Sequence, residues 1–150
     1  MLRAIVTGLI AGVLGVATLA IGEVLADTSS AASAPRVLGP GLVTVDVGIH
    51  YSKFSFSELS VRPGTTVRFV VHNNDPIHHE FIVGDASVHA RHERGTEAAH
   101  PPVPGEVSVA PLDIGETFYR FDRPGRYLFA CHLPGHFAYG MKGWITVVAA

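Results

Sequence analysis

The segment ACHLPGHFAYGM, residues 130–141, brings the rarest side chains of this chain together. Cys131 is the only cysteine among 150 residues, and Met141 is one of two methionines. His132 and His136 lie between them. Thiolate, imidazole and thioether groups are soft or borderline donors, and together they suit copper. The segment therefore predicts a copper site.

Strand-like segments flank this loop on both sides. RYLFAC, residues 126–131, ends at Cys131, and GWITVV, residues 143–148, begins just after Met141. A strand–loop–strand hairpin can place Cys131, His136 and Met141 around one point at its tip. A second histidine from elsewhere would complete the two histidines, one cysteine and weak axial methionine of a blue-copper electron-transfer site.

The rest of the chain beyond residue 41 also alternates between apolar and polar residues, with turns such as RPGT at 62–65 between the alternating segments. In the segment 66–74, for example, Val67, Phe69 and Val71 are expected to face one way. Short strands at this spacing predict an all-β, Greek-key sandwich or barrel. The predicted strands are residues 42–49, 54–61, 66–74, 79–83, 106–112, 117–122, 126–131 and 143–148.

The polar segment 84–105 interrupts this rhythm and contains His89, His92 and His100. We expect these histidines to lie on a solvated loop, with room for a short helix. The alternative is a second, weaker copper or zinc site, since His-x2-His can place both rings on one side of a helical turn. His132 should face away from the copper, because it follows Cys131 directly and neighbouring strand residues point to opposite faces.

Composition excludes several other classes of protein. One cysteine rules out an internal disulfide, a four-cysteine metal site and a dinuclear copper centre bridged by two cysteines. The net charge is −2, and the basic residues are scattered, so nucleic acid is not an expected partner. No hydrolase motif accompanies Cys131, so the chain is not expected to be an enzyme.

The N-terminus is distinct from the predicted sandwich. Residues 4–22 are uncharged and follow Arg3, and their length approaches the roughly 20 residues that span a bilayer. Residues 1–26 therefore predict either a cleaved signal peptide or a retained membrane anchor, and both would export the remainder to the periplasmic or extracellular side. Residues 27–36 resemble a flexible linker, so the folded domain is expected over 37–150.

Three segments resemble the cupredoxins, the type 1 blue copper family that includes plastocyanin and azurin. CHLPGHFAYGMKGWITV resembles their C-terminal ligand loop in its Cys-x4-His-x4-Met form, as in auracyanin and rusticyanin. RPGTTVRFVVHNND with HHEFIV, and FDRPGRYLFACHLPGH, resemble the family's segments that precede that loop. The resemblance covers most of residues 42–148. It implies a Greek-key β-sandwich with one copper ion at one end, bound by Cys131, His136 and Met141 from the loop.

The resemblance also implies the remaining ligand, among His72, His78 and His79. Cupredoxins place their first histidine just before an asparagine and an apolar strand, and residues 79–83 match with Glu80 in the asparagine position. His79 is therefore the expected ligand, and His78 is the alternative. In the family that asparagine helps to tie the cysteine loop to the rest of the fold. Glu80 either does the same or points elsewhere.

Two functions fit such a site. The first is an exported electron carrier that cycles between Cu(II) and Cu(I) and receives redox partners near His136. The apolar loop around His136 would supply the docking patch, and weak redox encounters need only small interfaces. The second is an exported copper-binding protein for tolerance or delivery, which the histidine-rich segment 84–105 favours.

Overall fold

The structure is a computed structural model, and it describes residues 36–95 and 103–149. Ten strands and one helix make up the described part of the chain. They are β1 Val37–Leu38, β2 Gly41–His50, β3 Lys53–Phe54, β4 Glu58–Val61, β5 Thr65–Asn73, β6 His79–Gly84, α1 Ala86–Gly95, β7 Glu106–Val109, β8 Ile114–Phe121, β9 Gly125–Ala130 and β10 Lys142–Val147.

The strands form two sheets that pack face to face. One sheet has the order β1-β4-β10-β9-β6-β7, and the other has the order β3-β2-β5-β8. Strands β2 and β5 are parallel neighbours although they are not consecutive, so the chain crosses between the sheets before it returns. The prediction of an all-β sandwich is confirmed.

The core lies between the two sheets. Val67, Phe69 and Val71 on β5 are all fully buried, as their alternation predicts. From the facing sheet, Phe81 places its ring centroid 4.8 Å from that of Phe69 and 5.5 Å from that of Phe129. Burial of these aromatic side chains contributes about 1.5–3 kcal/mol each relative to exposure, which makes the sandwich a rigid support for whatever lies at its ends.

The structure differs from the expected strand at residues 54–61. The Ser55 amide donates to the Gly48 carbonyl at 2.8 Å, whereas the Ser57 carbonyl accepts from the Trp144 amide at 2.8 Å. The chain therefore leaves one sheet and joins the other within three residues. A period-2 pattern continues across such a crossing, because both halves keep one face towards the shared core.

Helix α1 corrects the expectation that His89 and His92 lie on a solvated loop. Asp85 caps the helix, since its Oδ1 accepts from the Ser87 amide at 2.8 Å and the Val88 amide at 3.2 Å. The helix packs on β6 and β9. Both histidines are buried beneath it.

The covering helix also explains why every residue of β6 is buried. One face of this strand meets the core, and the other meets α1. Gly84 permits the close approach, because a Cβ there would lie 2.8 Å from Val88 Cγ2. His100 and the predictions for residues 1–26 and 27–35 lie outside the described residues. Within the described part, no helix is long and apolar enough to cross a membrane.

Candidate metal centre

Two neighbouring strands present the first donors. His79 is the first residue of β6, and Cys131 follows directly after β9. These strands pair antiparallel, with Ile82 opposite Ala130. Both His79 and Cys131 are fully buried. The site therefore lies where regular strands end, and regular elements position side chains more accurately than loops do.

The loop after Cys131 is held by its own backbone. The Cys131 amide donates to the Met141 carbonyl at 3.1 Å, and the Met141 amide donates to the His136 carbonyl at 3.0 Å. The His136 amide donates to the Leu133 carbonyl at 3.0 Å across a tight turn. Gly135 allows this turn because its φ is +87°. These hydrogen bonds hold Cys131 and Met141, at the two ends of the loop, next to each other and to His136.

Three of the predicted ligands come together in the structure. One donor atom each from His79, Cys131 and His136 lies within 4.8 Å of the others. The distance from Cys131 Sγ to His136 Nδ1 is 3.2 Å. Met141, the fourth predicted ligand, is buried at the end of the same loop. His78 is exposed and does not belong to the group.

The donor chemistry of His79 fits a bound metal ion. Its Nε2 lies 2.9 Å from Asp75 Oδ2, and a carboxylate can only accept, so Nε2 carries the proton. Nδ1 then holds the lone pair, and this buried nitrogen has no hydrogen-bond partner among the described residues. Burial lowers the pKa of His79, which keeps the ring neutral. A neutral imidazole held through its other nitrogen by a carboxylate is the usual form of a histidine ligand.

Asp75 was not among the predicted site residues. Its carboxylate accepts from the Tyr51 and Ser52 amides, both at 2.8 Å. Burial alone would raise the pKa of Asp75, but these two hydrogen bonds and the contact with His79 lower it. The segment NNDP, residues 73–76, is typical of a turn. The sequence pattern therefore did not indicate that the Asp75 carboxylate would orient a histidine.

The cysteine is protonated until a cation arrives. Burial raises the pKa of Cys131 to about 11, although its sulfur accepts a hydrogen bond from the Glu80 amide at 3.4 Å. Thiolate is the form that binds metal, so loading at neutral pH must release the thiol proton. His136 is half-buried, and burial lowers its pKa too, so its ring is a neutral donor.

Glu80 connects the cysteine loop to the rest of the fold. Its side chain is fully buried, and Oε2 accepts from the His132 amide at 3.2 Å. Its own amide donates to Cys131 Sγ. Of the two alternatives for Glu80, the structure shows the first: Glu80 ties β6 to His132, the residue after Cys131.

We expect Asp75→Asn to weaken copper binding by about 10–100-fold, the usual cost of losing the partner that orients a histidine ligand. An asparagine has one acceptor oxygen, but three donors converge on Asp75. Competition with a chromophoric copper chelator measures the change. Asp46→Asn is the matched control, because Asp46 pairs with a histidine, His72 at 3.1 Å, on the exposed surface. Equal affinities for the two variants would contradict the orienting role.

Comparisons with known proteins agree with this centre. A family model described as copper binding proteins, plastocyanin/azurin family, matches residues 42–148. The copper-resistant cuproprotein CopI of Rubrivivax gelatinosus is 39% identical over 98 residues, which cover 63% of this chain and 59% of that protein. CopI of Pseudomonas aeruginosa is 28% identical over 176 residues, covering 95% of this chain and 93% of that protein. The structure of auracyanin B is similar with a TM-score of 0.58 and 26% identity, covering 75% of this chain and 92% of that chain.

The family match spans most of the chain, and the sandwich carries a group of one cysteine and two histidines that could hold a metal ion. The donors suit copper, and the orphaned nitrogen of His79 gives it a position to bind. The chain therefore belongs to the plastocyanin/azurin family of copper-binding proteins: it is a cupredoxin, with one copper ion as the cofactor of this centre.

Proposed function

We propose that this cupredoxin carries single electrons between redox partners, with His79, Cys131, His136 and Met141 as its copper ligands. The observation that carries the proposal is the grouping of the buried Cys131 sulfur with one nitrogen from each of His79 and His136, all within 4.8 Å of one another. Bound copper would supply the Cu(II)/Cu(I) couple. A protein that merely stored copper would not need a single site of this composition.

The residues around the centre restrict the movement of its ligands and exclude water from it. Asp75 fixes the ring of His79, and Glu80 fixes the backbone after Cys131. The Glu80 amide also donates to the sulfur, and hydrogen bonds to the sulfur tune the reduction potential of such sites. Full burial of His79 and Cys131 keeps water away from two of the ligands. Ligands that do not move between the two oxidation states make electron transfer fast.

The His136 ring would supply the path by which an electron enters or leaves the copper site. Its ring is half-buried, and exposed apolar side chains lie on the same loop or on loops joined to the site. Tyr139 is 84% exposed on the ligand loop itself. Leu112 is also exposed, and its amide donates to the carbonyl of Asp75 at 3.1 Å. We assign this apolar end as the place where a redox partner docks.

Copper tolerance or delivery is the second candidate function. The relatives named CopI are called copper-resistant cuproproteins, and one of them aligns with 95% of this chain. The interpretation of residues 1–26 as a signal peptide or anchor would place this copper-binding protein outside the cytoplasm. Residues 4–22 would tether the domain to a membrane if that segment is retained. Copper sensitivity after deletion of the gene, without loss of electron flow to any partner, would favour this function.

Electron transfer is tested with the copper-loaded chain and cytochrome c as the probe. We expect the intense visible band to bleach when reduced cytochrome c is added and to return with ferricyanide, over repeated cycles. Tyr139→Ser should lower the second-order rate several-fold, because it removes part of the docking patch. Leu42→Ser is the matched control, since Leu42 is also 69% exposed but lies at the start of β2. A band that does not recover, or equal rates for the two variants, would contradict the proposal.

A further inference from the structure

Three non-glycine residues have left-handed backbone angles in the part of the chain that the structure describes. Their φ values are 51° at Tyr51, 53° at Ser52 and 57° at Leu112. This region is unfavourable for residues that carry a Cβ, and such strain persists only where the surrounding structure enforces it. The residues Tyr51 and Leu112 are 81% and 72% exposed, so packing of their side chains in the core does not explain the strain.

The backbone amides of these three residues all donate to Asp75. The Tyr51 amide donates to Oδ1 and the Ser52 amide to Oδ2, both at 2.8 Å. The Leu112 amide donates to the Asp75 carbonyl at 3.1 Å. The Asp75 amide in turn donates to Asn73 Oδ1 at 3.0 Å. Every polar group of Asp75 is therefore held, and the strained residues hold three of the four.

Hairpin geometry explains part of this strain. Strands β2 and β3 pair His50 with Lys53, which leaves a two-residue turn at 51–52. Turns of this length require positive φ at one or both central residues, although asparagine and glycine are the usual residues there. The hairpin does not explain Leu112, which lies between β7 and β8. Nor does it explain why both amides of the turn meet one carboxylate.

Asp75 connects the two sheets at the end of the sandwich that carries the metal centre. The turn at 51–52 belongs to the sheet of β2 and β3, whereas His79 begins β6 in the other sheet. Asp75 Oδ2 lies 2.9 Å from His79 Nε2, so the turn reaches a copper ligand through one carboxylate. His50 Nδ1 lies 3.6 Å from Asp75 Oδ1, which is too far for a hydrogen bond.

A carboxylate in this place favours one oxidation state of copper over the other. The groups bonded to both oxygens of Asp75 are donors, so the carboxylate only accepts and carries a negative charge. The residue is only 5% exposed, and charges in buried places are screened much less than charges on the surface. Negative charge favours Cu(II) over the less positive Cu(I). The carboxylate also makes the imidazole a more basic ligand, which acts in the same direction.

We propose that the Tyr51–Ser52 turn, acting through Asp75, biases the metal centre towards Cu(II) and so lowers its reduction potential. The turn and Asp75 are positioning residues, since they act on the metal through His79. This inference rests on the proposed function, because it takes His79 as a copper ligand. It adds a property of the carrier: the reduced protein is a stronger electron donor than it would be with a neutral side chain at position 75.

Spectroscopic redox titration of the copper-loaded full chain measures the reduction potential through the intense visible band. We expect Asp75→Asn to have a higher potential, because its affinity for Cu(II) should fall about tenfold more than its affinity for Cu(I). A tenfold difference corresponds to about 59 mV for a one-electron couple. The matched control is Asp46→Asn, which removes an exposed carboxylate that pairs with His72 and should leave the potential unchanged.

A pair of variants at residue 52 separates positioning from stability. Glycine accepts positive φ without strain, whereas the β-branched valine does not. Ser52→Gly should therefore keep the potential, and Ser52→Val should raise it towards the value of Asp75→Asn. The double variant Asp75→Asn/Ser52→Val should match Asp75→Asn, because the turn acts through the carboxylate. A purely structural turn would lower the stability of Ser52→Val towards urea without moving its potential.

The copper-free chain gives a readout that does not depend on the metal. We expect the amides of Tyr51 and Ser52 to be protected from hydrogen exchange in the unaltered chain and to exchange faster in Asp75→Asn. Equal exchange rates in the two proteins would contradict the hold of the turn on Asp75. If near-ultraviolet circular dichroism shows that Ser52→Val is unfolded, Tyr51→Val and Tyr51→Gly replace the pair at residue 52.

The inference and the proposed function fail separately. An unchanged potential in Asp75→Asn, with the intense band intact, would overturn the inference and leave the electron carrier standing. A raised potential in a protein that does not exchange electrons with cytochrome c would contradict the carrier alone. If Asp75→Asn binds copper too weakly to show the band, the glycine and valine variants decide, and equal potentials for these two would overturn the inference.

Discussion

The copper-loaded Cys131→Ser protein is expected to lack the intense visible absorption of a thiolate-to-copper site. Serine is nearly the same size as cysteine and leaves an acceptor for the Glu80 amide, so the fully buried position should remain packed. A hydroxyl is a harder donor than a thiolate and suits Cu(I) poorly. We expect affinity to fall by more than the roughly 10–100-fold that follows loss of an outer partner of a ligand.

The spectrum of the Cu(II)-loaded variant, before and after ascorbate, checks this prediction. Near-ultraviolet circular dichroism of the metal-free variant should match the unaltered chain, which separates loss of a ligand from loss of the fold. Persistence of an intense band that bleaches on reduction would mean that Cys131 is not a ligand. The interpretation of the segment 130–141 as a copper loop would then be wrong.

His79→Ala should also abolish the band, whereas His78→Ala should leave it unchanged. The two histidines are adjacent, but His79 is fully buried beside Cys131 and His136, and His78 is exposed. Truncation of His79 would remove a proposed ligand and also the hydrogen bond between its ring and the Asp75 carboxylate. We therefore expect the His79 variant to lose stability as well, by about 1.5–3 kcal/mol for the lost hydrogen bond to a charged group.

Parallel copper titrations of the two alanine variants decide between the neighbours. Urea denaturation of the metal-free proteins measures the stability difference, with His78→Ala expected to be indistinguishable from the unaltered chain. Loss of the band only in the His78 variant would move the first ligand by one residue. Loss of the band in neither variant would remove the segment 78–79 from the site altogether.

Much of the metal centre could be predicted because its donors are close in sequence. Cys131, His136 and Met141 belong to one hairpin loop, which strands β9 and β10 flank. The fold class followed from the same alternation, repeated along the chain. His79 came from a resemblance to a family, and the structure places it in one group with Cys131 and His136.

The features that sequence reasoning missed depend on which element covers which face. Alternation predicts that His132 points away from Cys131, but it does not say what lies on that side. Helix α1 covers that side and brings His89 close to His132, although the two are 43 residues apart in the chain. The sequence could have placed Glu80 on the same side as His132, because Glu80 follows His79 directly just as His132 follows Cys131. The sequence pattern did not indicate that the chain passes from one sheet to the other within residues 54–61, because both halves of this segment face the same core.

The depth of Cys131 bears on how the chain survives before it acquires copper. In an oxidising compartment, disulfides and oxidants attack accessible thiolates first. Cys131 has no exposed surface, and packing against the core leaves no approach for a second sulfur atom. The copper-free chain should therefore resist disulfide-linked dimerisation and capping by glutathione. It can persist in an oxidising compartment with its one thiol intact until the metal arrives.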